Sequence, residues 1–327
     1  MNNSDRPTLI IGAGLAGLTA ARELTRVGHR VHVVDKGRGV GGRMATRRMG
    51  DARLDHGAQF FTVRGEDFRS TIDDAINAGV VGVWCHGFGE EDGYPRYYCP
   101  AGMTGLAKWL AEAVVASGGT IETSSRVSKI SAGDSGVHLD LESEDSLSSD
   151  TLIVTSPVPQ TLELFDSGNL TLAPEQRSAL EALQFHRTIA LLVHLDHAPN
   201  IAPPGGIQTP ADTFSFIGDN FQKGVSAEQA VTFHLNNQLS LERWDEDSDA
   251  LRADLIALAE PWIGTASILE SQLHKWKYAG PVAPYPDRTM VIPQQHATVV
   301  LAGAAFGGPK VEGAFNSGLA AARELLS

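Results

Sequence analysis

The spacing of apolar positions at the N-terminal end predicts a strand, a helix and a second strand. Residues 8–11 form a short apolar run, and residues 31–34 form another. Between these runs, apolar side chains recur at the spacing of one helix face, at Leu15, Leu18, Ala21 and Leu24, before Gly28 ends the pattern. This order of elements is that of a βαβ unit, in which a crossover helix joins two parallel strands.

A period of two marks the second half of the chain. Apolar residues alternate with other residues at positions 189–195 and again at 231–235, which predicts antiparallel strands with one buried face. His234 lies opposite the apolar set of its strand. It therefore either faces a cavity or lies on an exposed surface.

Three aromatic or imidazole side chains share one face of a later predicted strand, namely His274, Trp276 and Tyr278. The aromatic pair forms either one wall of a pocket for a planar ring or ordinary core packing. The pattern alone leaves both readings open.

The C-terminal segment repeats the order of strand, turn and helix. Residues 299–302 predict a strand, residues 306–310 a turn, and residues 311–326 a helix. Small residues at helical spacing open this helix, at Gly313, Ala314, Ser317 and Gly318. Either something large lies against the first turn, or the helix packs tightly on a strand. The partial positive charge of the helix N-terminus would stabilise a negative charge close to it.

The turn after the first strand carries the glycines of a dinucleotide-binding motif. Gly12, Gly14 and Gly17 have the G-x-G-x-x-G spacing, and Asp35 follows the second strand. Such glycines let backbone N–H groups and the helix N-terminus approach a pyrophosphate, while the carboxylate accepts hydrogen bonds from ribose hydroxyls. A glycine-rich turn without a ligand is the alternative interpretation.

A second glycine-rich loop, at residues 37–44, distinguishes FAD from NAD. Its Arg43 is placed to pair with a phosphate through a charge-assisted hydrogen bond. A plain NAD dehydrogenase has no need of this loop, so a nicotinamide-only dehydrogenase is disfavoured.

Further segments resemble the FAD-dependent amine oxidase superfamily in their order along the chain. They are the D-x-G-A-Q segment at residues 55–59, the P-x-G-M segment at residues 100–105, Arg126 and Val127, and the apolar run at residues 151–157. The resemblance implies a noncovalent FAD, since no cysteine lies in the C-terminal half. The residues that it implies as FAD contacts are Gly12, Gly14, Leu15, Ala16, Gly17, Asp35, Lys36, Gly42, Arg43, Met44, His56, Gly57, Ala58, Gln59, Val127, Thr155, Gly303, Ala304, Val311, Glu312, Gly313 and Ala314.

Two departures from the superfamily pattern bear on function. Ala304 follows Gly303 where members usually have an aspartate that contacts the ribityl chain, and Lys310 stands where amine oxidases carry an aromatic cage residue. A cation is a poor wall for a protonated amine. The motif order and the basic residue before V-E-G-A look most like the bacterial renalase group.

That resemblance implies an oxidase that takes hydride from isomers of NAD(P)H reduced at the 2- or 6-position, passes it to flavin N5, and produces H2O2 from O2. Hydride transfer requires positioning rather than a general base. The residues we predict around the substrate are Gln59, Phe61, Arg64, His234, Trp276 and Lys310. The alternatives are an amine oxidase or desaturase on the same fold, and a non-catalytic binding module such as the Rab GDP-dissociation inhibitors.

The predicted fold class is α/β, with a Rossmann-like FAD-binding domain and an α+β substrate domain built on an antiparallel sheet. Residues 1–58, 97–156 and 286–327 are assigned to the FAD-binding domain, and residues 59–96 and 157–285 to the substrate-binding domain. The net charge of −13 argues against nucleic acid or an anionic membrane as a partner. Two isolated cysteines and a polar N-terminus predict a cytoplasmic protein, expected to be a monomer or weak dimer.

Overall fold

The computed structural model describes residues 6–89 and 92–327. Numbered in chain order, the strands are β1 (Thr8–Ile11), β2 (Val31–Val34), β3 (Thr46–Met49), β4 (Ala52–Asp55), β5 (Gly82–Cys85), β6 (Arg96–Tyr98), β7 (Thr120–Glu122), β8 (Val127–Gly133), β9 (Gly136–Leu141), β10 (Ser146–Ser149), β11 (Thr151–Val154), β12 (Phe185–Leu195), β13 (Gly206–Gln208), β14 (Phe214–Asp219), β15 (Ala230–Leu235), β16 (Ile268–Pro281), β17 (Met290–Gln294) and β18 (Ala297–Leu301). The helices are α1 (Leu15–Arg26), α2 (Glu66–Asn77), α3 (Thr104–Ala116), α4 (Val158–Gly168), α5 (Pro174–Glu181), α6 (Asn237–Glu242), α7 (Ser248–Ile263), α8 (Ala304–Gly307) and α9 (Val311–Leu326).

A six-stranded sheet carries the N-terminal unit that the spacing of apolar residues predicts. Its strand order is β17-β18-β11-β1-β2-β7, and β1 pairs in parallel with both β2 and β11. β17 pairs antiparallel with β18 at one edge. The predicted βαβ unit of β1, α1 and β2 is confirmed.

Two hydrophobic clusters lie on the two faces of this sheet. Ile10 of β1 belongs to the cluster that includes residues of α1, α3 and α9. Leu9 and Ile11 belong to the other cluster, together with residues of β8, β9 and α4. Both faces of the sheet are therefore covered. β1 ends at Ile11, so the glycine turn that begins at Gly12 lies at the carboxyl edge of the sheet, the place where open α/β sheets bind ligands.

The second sheet is antiparallel, with strand order β13-β14-β15-β12-β16, as predicted. One face packs on α7, through residues such as Leu191 and Leu255. The prediction of only one buried face is wrong for β12, because the β3–β4 hairpin covers the other face. Ala190 and Leu192 pack there against hairpin residues that include Met49.

The two sheets draw on different parts of the sequence. The six-stranded sheet takes its strands from residues 8–34, 120–154 and 290–301, whereas the five-stranded sheet takes its strands from residues 185–281. The α/β fold class with a second, antiparallel sheet is confirmed, while the domain boundaries stay predictions. Within the described residues, no helix combines the length and apolar character needed to cross a membrane.

Candidate functional site

The three glycines of the first turn have three different surroundings. A Cβ on Gly17 would lie 1.9 Å from the carbonyl oxygen of Gly12, so this glycine permits close contact between α1 and the turn. Gly12 has φ +105°, and a Cβ there would lie 2.4 Å from Oγ1 of Thr155. A Cβ on Gly14 would meet no described atom within 4 Å. Gly14 thus leaves the N-terminus of α1 accessible to a phosphate.

Asp35 lies at the end of β2 beside this turn. Its Oδ2 accepts a hydrogen bond from the backbone N–H of Ala13 (2.6 Å), and its Oδ1 accepts one from that of Gly37 (2.6 Å). Each carboxylate oxygen retains a second lone pair. The carboxylate is therefore held at the glycine turn, and its contact with ribose hydroxyls stays a prediction.

The second glycine-rich loop lies against the first. A Cβ on Gly42 would stand 3.5 Å from Cα of Gly14. The adjacent Arg43 is partly buried, its Nη1 donates to the carbonyl of Tyr278 (3.4 Å), and burial lowers the pKa of its guanidinium. In the described part of the chain, no ion pair joins Arg43 to a carboxylate. A desolvated guanidinium without an anion suits a phosphate.

The D-x-G-A-Q segment docks on this loop through Gly57. A Cβ on Gly57 would stand 1.9 Å from the carbonyl oxygen of Arg43 and 3.4 Å from Cζ2 of Trp276. The N–H of Ala58 donates to the same carbonyl (2.9 Å). The predicted cofactor loop, through Arg43, and the predicted substrate wall, through Trp276, thus both contact Gly57.

Asp55, at the start of this segment, forms a buried ion pair with Lys223. Nζ of Lys223 lies 2.7 Å from Oδ2 of Asp55, and neither side chain is exposed. Oδ1 of Asp55 accepts from Oγ1 of Thr46 (2.6 Å) and from the N–H of Met103 (2.8 Å). The backbone N–H of Asp55 donates to Oδ1 of Asn220 (3.0 Å). This single aspartate therefore joins the β3–β4 hairpin, the start of α3 and the turn between β14 and β15.

A histidine cluster, defined as His56, His234 and His274, lies next to the ion pair. Ala190 of β12 pairs with His234 on one side and with His274 on the other. The carbonyl of His56 accepts from Nε1 of Trp276 (2.7 Å) and lies 3.2 Å from Nε2 of His234. The His56 ring stacks on Trp276, with centroids 5.2 Å apart, and meets His274 edge-on at 4.5 Å.

All three imidazoles of the histidine cluster are neutral near pH 7. Burial, reinforced by His274, lowers the pKa of His56 to about 3. Burial also lowers the pKa of His234 to about 4, against the opposing effect of its hydrogen bond to the His56 carbonyl. Burial and then the Arg47 guanidinium lower the pKa of His274 to about 4. The cluster therefore offers hydrogen-bonding nitrogens without positive charge.

Two glycines of α9 lie close to the backbone of neighbouring helices. A Cβ on Gly318 would lie 2.1 Å from the carbonyl oxygen of Ala16 in α1, and one on Gly313 would lie 2.4 Å from that of Gly307 in α8. These glycines thus permit close packing on helices rather than on a strand, and contact of α9 with a ligand stays a prediction. The short helix α8 ends within the predicted turn at residues 306–310.

Glu312, in the first turn of α9, binds the start of α2. Its carboxylate accepts from the backbone N–H groups of Arg64 (3.0 Å) and Gly65 (2.6 Å). The C-terminal helix is thereby joined to the segment that follows the D-x-G-A-Q motif.

The six predicted substrate residues separate into two groups. Gln59, His234 and Trp276 converge on the segment at residues 55–59. Phe61 lies in the core at 3% exposure and packs on Phe68 and Tyr97, so its ring does not face an open pocket. Arg64 and Lys310 are exposed, and the Arg64 guanidinium lies over the ring of Tyr94. Sequence reasoning did not single out Lys223 or Asn220, and it named His274 only as sharing a strand face with Trp276. Only the folded chain brings these three residues to Asp55 and His56.

The remaining predicted FAD contacts lie along the same edge of the sheet. Lys36 is exposed and donates to Oε1 of Gln160 (2.9 Å). The N–H of Gly303 donates to Oγ of Ser317 (2.8 Å). Buried residues of this set are Leu15, Ala16, Met44, Val127 and Ala304, and partly buried ones are Thr155, Val311 and Ala314. Their contact with FAD stays a prediction.

Comparison with known proteins shows the family. A model of flavin containing amine oxidoreductases matches residues 82–326, and a model of the NAD(P)-binding Rossmann-like domain matches residues 10–75. The chain belongs to the flavin-containing amine oxidoreductase family. The superfamily predicted from the motifs is thereby confirmed, and the family description implies a flavin cofactor.

Curated relatives align with a short part of the chain. AofH of Mycobacterium tuberculosis, a candidate flavin-containing monoamine oxidase, is 50% identical over 52 residues, which are 16% of this chain and 12% of AofH. An L-amino-acid oxidase of Siganus canaliculatus is 48% identical over 46 residues, which are 14% of this chain and 9% of that enzyme. The chain thus matches only about a tenth of the length of these relatives.

Solved structures are similar over nearly the whole chain. A candidate protoporphyrinogen oxidase from Exiguobacterium superposes with a TM-score of 0.72 at 13% identity, covering 98% of this chain and 99% of that one. Putrescine oxidase bound to putrescine superposes with a TM-score of 0.67 at 14% identity, covering 98% and 99%. At this identity the similarity establishes the fold.

Proposed function

We propose that this protein is an FAD-dependent oxidoreductase that takes hydride from a small reduced substrate, such as the 2- or 6-dihydro isomers of NAD(P)H. The electrons then pass to O2 and give H2O2. Family membership supports the flavin and the oxidoreductase class. The charges around the histidine cluster support the class of substrate.

The residues of the glycine turns fit FAD. Gly14 and Gly42 face each other without side chains, so a pyrophosphate would meet backbone N–H groups and the N-terminus of α1. Arg43 would pair with a phosphate, and Asp35 would accept from ribose hydroxyls. The sequence has two cysteines, Cys85 and Cys99. Burial raises the pKa of the Cys99 thiol to about 12, so this cysteine is a poor nucleophile for a thioether, consistent with noncovalent FAD.

FAD, when bound, supplies a two-electron acceptor for hydride. The chain's own part is to hold the donor carbon close and aligned, which requires shape and hydrogen bonds rather than a general base. His56 and Trp276 present stacked planar rings for this purpose. Because the imidazoles of the histidine cluster are uncharged at pH 7, they add no positive charge to the site.

The observation that carries the substrate class is a guanidinium without a carboxylate partner beside the histidine cluster. Arg47 donates to Oε1 of Gln272, and no ion pair joins it to a carboxylate within the described residues. Its charge adds to burial in lowering the pKa of both His56 and His274. The nearby carboxylates are already engaged, Asp55 by Lys223 and Glu312 by backbone N–H groups. An ammonium ion would find no free anion here, whereas a neutral carboxamide or an anionic phosphate would meet complementary groups.

Amine oxidation is the second candidate, because the family model that matches most of the chain is that of amine oxidoreductases. Anaerobic mixing of the FAD-loaded protein with 2-, 4- and 6-dihydronicotinamide isomers and with simple amines distinguishes the two. We expect the 2- or 6-dihydro isomers to bleach the flavin absorption band rapidly, and aerobic turnover to give H2O2 in equal amount to substrate. Rapid bleaching by amines alone would overturn the proposal.

A further inference from the structure

The side-chain amide of Gln59 is held in one orientation. Its Nε2 donates to the backbone carbonyls of Asp55 (2.6 Å) and Gly57 (3.2 Å). A carbonyl only accepts, so the amide nitrogen must face these two groups and Oε1 must point away from them. Asp55 is itself fixed by its buried ion pair with Lys223, so Gln59 bonds to a backbone carbonyl that is held in place.

Oε1 of Gln59 is a buried acceptor for which the described chain provides no donor. Gln59 is 5% exposed. The oxygen points toward β14, where a Cβ on Gly218 would lie 3.0 Å from it. Leaving a buried acceptor unpaired costs about 1–3 kcal/mol, so a bound group that donates to it would bind more tightly for that reason.

A second unpaired buried atom, a nitrogen, lies on the same segment. Nδ1 of His56 has no partner among the described residues, and His56 is 5% exposed. Nε2 of His234 faces the His56 carbonyl and must donate to it, which leaves Nδ1 of His234 as an acceptor. Besides Oε1 of Gln59, a bound group would therefore meet the unpaired Nδ1 of His56, whose donor or acceptor role is set by the tautomer of that ring.

We propose that Oε1 of Gln59 is a specificity-determining acceptor for an N–H group of the substrate's carboxamide. The inference rests on the proposed function, and it names the carboxamide as the part of the dihydronicotinamide that Gln59 recognises. A carboxamide N–H is a neutral donor, which suits a site beside the guanidinium of Arg47. An ammonium donor would be repelled by this cation, and a carboxylate would bring no donor.

A matched pair of substrates tests the assignment. We would compare 1-methyl-1,6-dihydropyridines that carry either an N-methylcarboxamide or a methyl ester at the 3-position, because the two groups are similar in size and only the amide donates. Rates of anaerobic flavin reduction are normalised to the reaction of each compound with free flavin. We expect the normalised second-order rate constant of flavin reduction to be about tenfold to a hundredfold higher for the amide. Equal normalised values would overturn the assignment of Gln59 and leave the proposed function standing.

Binding gives the same comparison without hydride transfer. The corresponding oxidised pyridinium amide and ester are titrated into the FAD-loaded protein, and dissociation constants are read from the shift of the flavin spectrum. If neither dihydropyridine reduces the flavin, the proposed function fails, yet tighter binding of the amide still supports the role of Gln59 and equal binding overturns it.

Replacing Gln59 tests whether this residue causes the preference for the amide over the ester. Gln59→Met removes the acceptor and should bring the amide-to-ester ratio to about one, whereas the control Gln238→Met, on an exposed residue of α6, should leave it unchanged. A Gln59→Met protein that retains the wild-type ratio would overturn the assignment. Should this variant fail to fold, the ratios measured on the wild-type protein decide the question.

Discussion

Asp55 and Lys223 lie 168 positions apart in the sequence and form an ion pair 2.7 Å long with no exposed side-chain surface. The pair joins the β3–β4 hairpin to the turn between β14 and β15. Removing one charge from a buried pair leaves the other desolvated and unpaired, which costs more than the pair itself contributes. The junction of the two sheets is therefore the place where a single charge change should have the largest effect.

Lys223→Met should lower the free energy of unfolding by about 3–5 kcal/mol, because Asp55 would remain buried without its partner. Urea unfolding followed by circular dichroism measures the change. The double variant Asp55→Asn with Lys223→Met should recover part of the loss, since the asparagine Oδ1 keeps its acceptor role toward Met103.

The control for this experiment is Lys129→Met. Lys129 pairs with Asp140 at 3.4 Å, but the two side chains are 43% and 45% exposed. An exposed pair of this kind contributes at most about 1 kcal/mol. Equal losses from the two lysine variants would show that the Asp55–Lys223 pair does not behave as a buried one.

Gly14→Thr should weaken FAD binding while leaving the fold intact. Thr and Gly are about equally good at a helix N-cap, and a Cβ at position 14 meets no described atom within 4 Å. The added side chain would, however, occupy the approach to the N-terminus of α1. FAD titration should show reduced affinity with an unchanged melting temperature of the apoprotein.

Gly17→Ala supplies the contrast, because its Cβ would collide with the Gly12 carbonyl at 1.9 Å. This variant should destabilise the apoprotein itself. If the Gly14→Thr protein binds FAD as tightly as the wild type, the phosphates of FAD do not bind at the N-terminus of α1.

Arg43→Met should lower FAD affinity by about 1.5–3 kcal/mol, the contribution of a hydrogen bond to a charged group. The apoprotein should be as stable as the wild type or more so, because a desolvated guanidinium without an anionic partner is removed. Fluorescence titration with FAD and thermal unfolding of the apoprotein measure the two effects. Arg38→Met, on an exposed residue of the same loop, should change neither; equal losses of affinity would remove the special role of Arg43.

Local periodicity explains why the first βαβ unit was predictable. The residues of β1 and α1 that form the core repeat within one element, and the glycine turn depends on neighbours a few positions away. The prediction failed for β12, which is buried on both faces because the β3–β4 hairpin packs on it. Residues 189–193 are all apolar, a pattern typical of a strand buried on both faces, but the pattern does not show which segment covers the second face.

The candidate site shows the same limit. Motifs and strand faces point to Gln59, His234 and Trp276, which the fold brings together at residues 55–59, whereas Lys223 occupies a turn without a periodic pattern. Likewise, the spacing of Gly313 and Gly318 does not name the backbones that approach them, which are those of Gly307 and Ala16. Phe61 lies in the core, and a sequence motif names a residue without showing which way its ring points.

Protonation of the histidine cluster should destabilise the protein between about pH 6.5 and pH 5. The pKa values of His56, His234 and His274 are lowered from 6.5 to about 3, 4 and 4 in the folded chain. The unfolded chain therefore binds more protons than the folded one in this range, so the free energy of unfolding falls as the pH falls. The loss should continue down to the lowered pKa values, although carboxylates contribute below about pH 5.

Urea unfolding at several pH values between 5 and 6.5 measures this slope, to which one histidine contributes at most about 1.4 kcal/mol per pH unit. His274→Gln should flatten it, because glutamine takes up no proton. His29→Gln, on an exposed residue, should leave the slope unchanged. If the His274→Gln protein shows the same slope as the wild type, the imidazole of His274 takes up a proton in the folded chain as readily as in the unfolded chain. The site would then carry positive charge at mildly acidic pH.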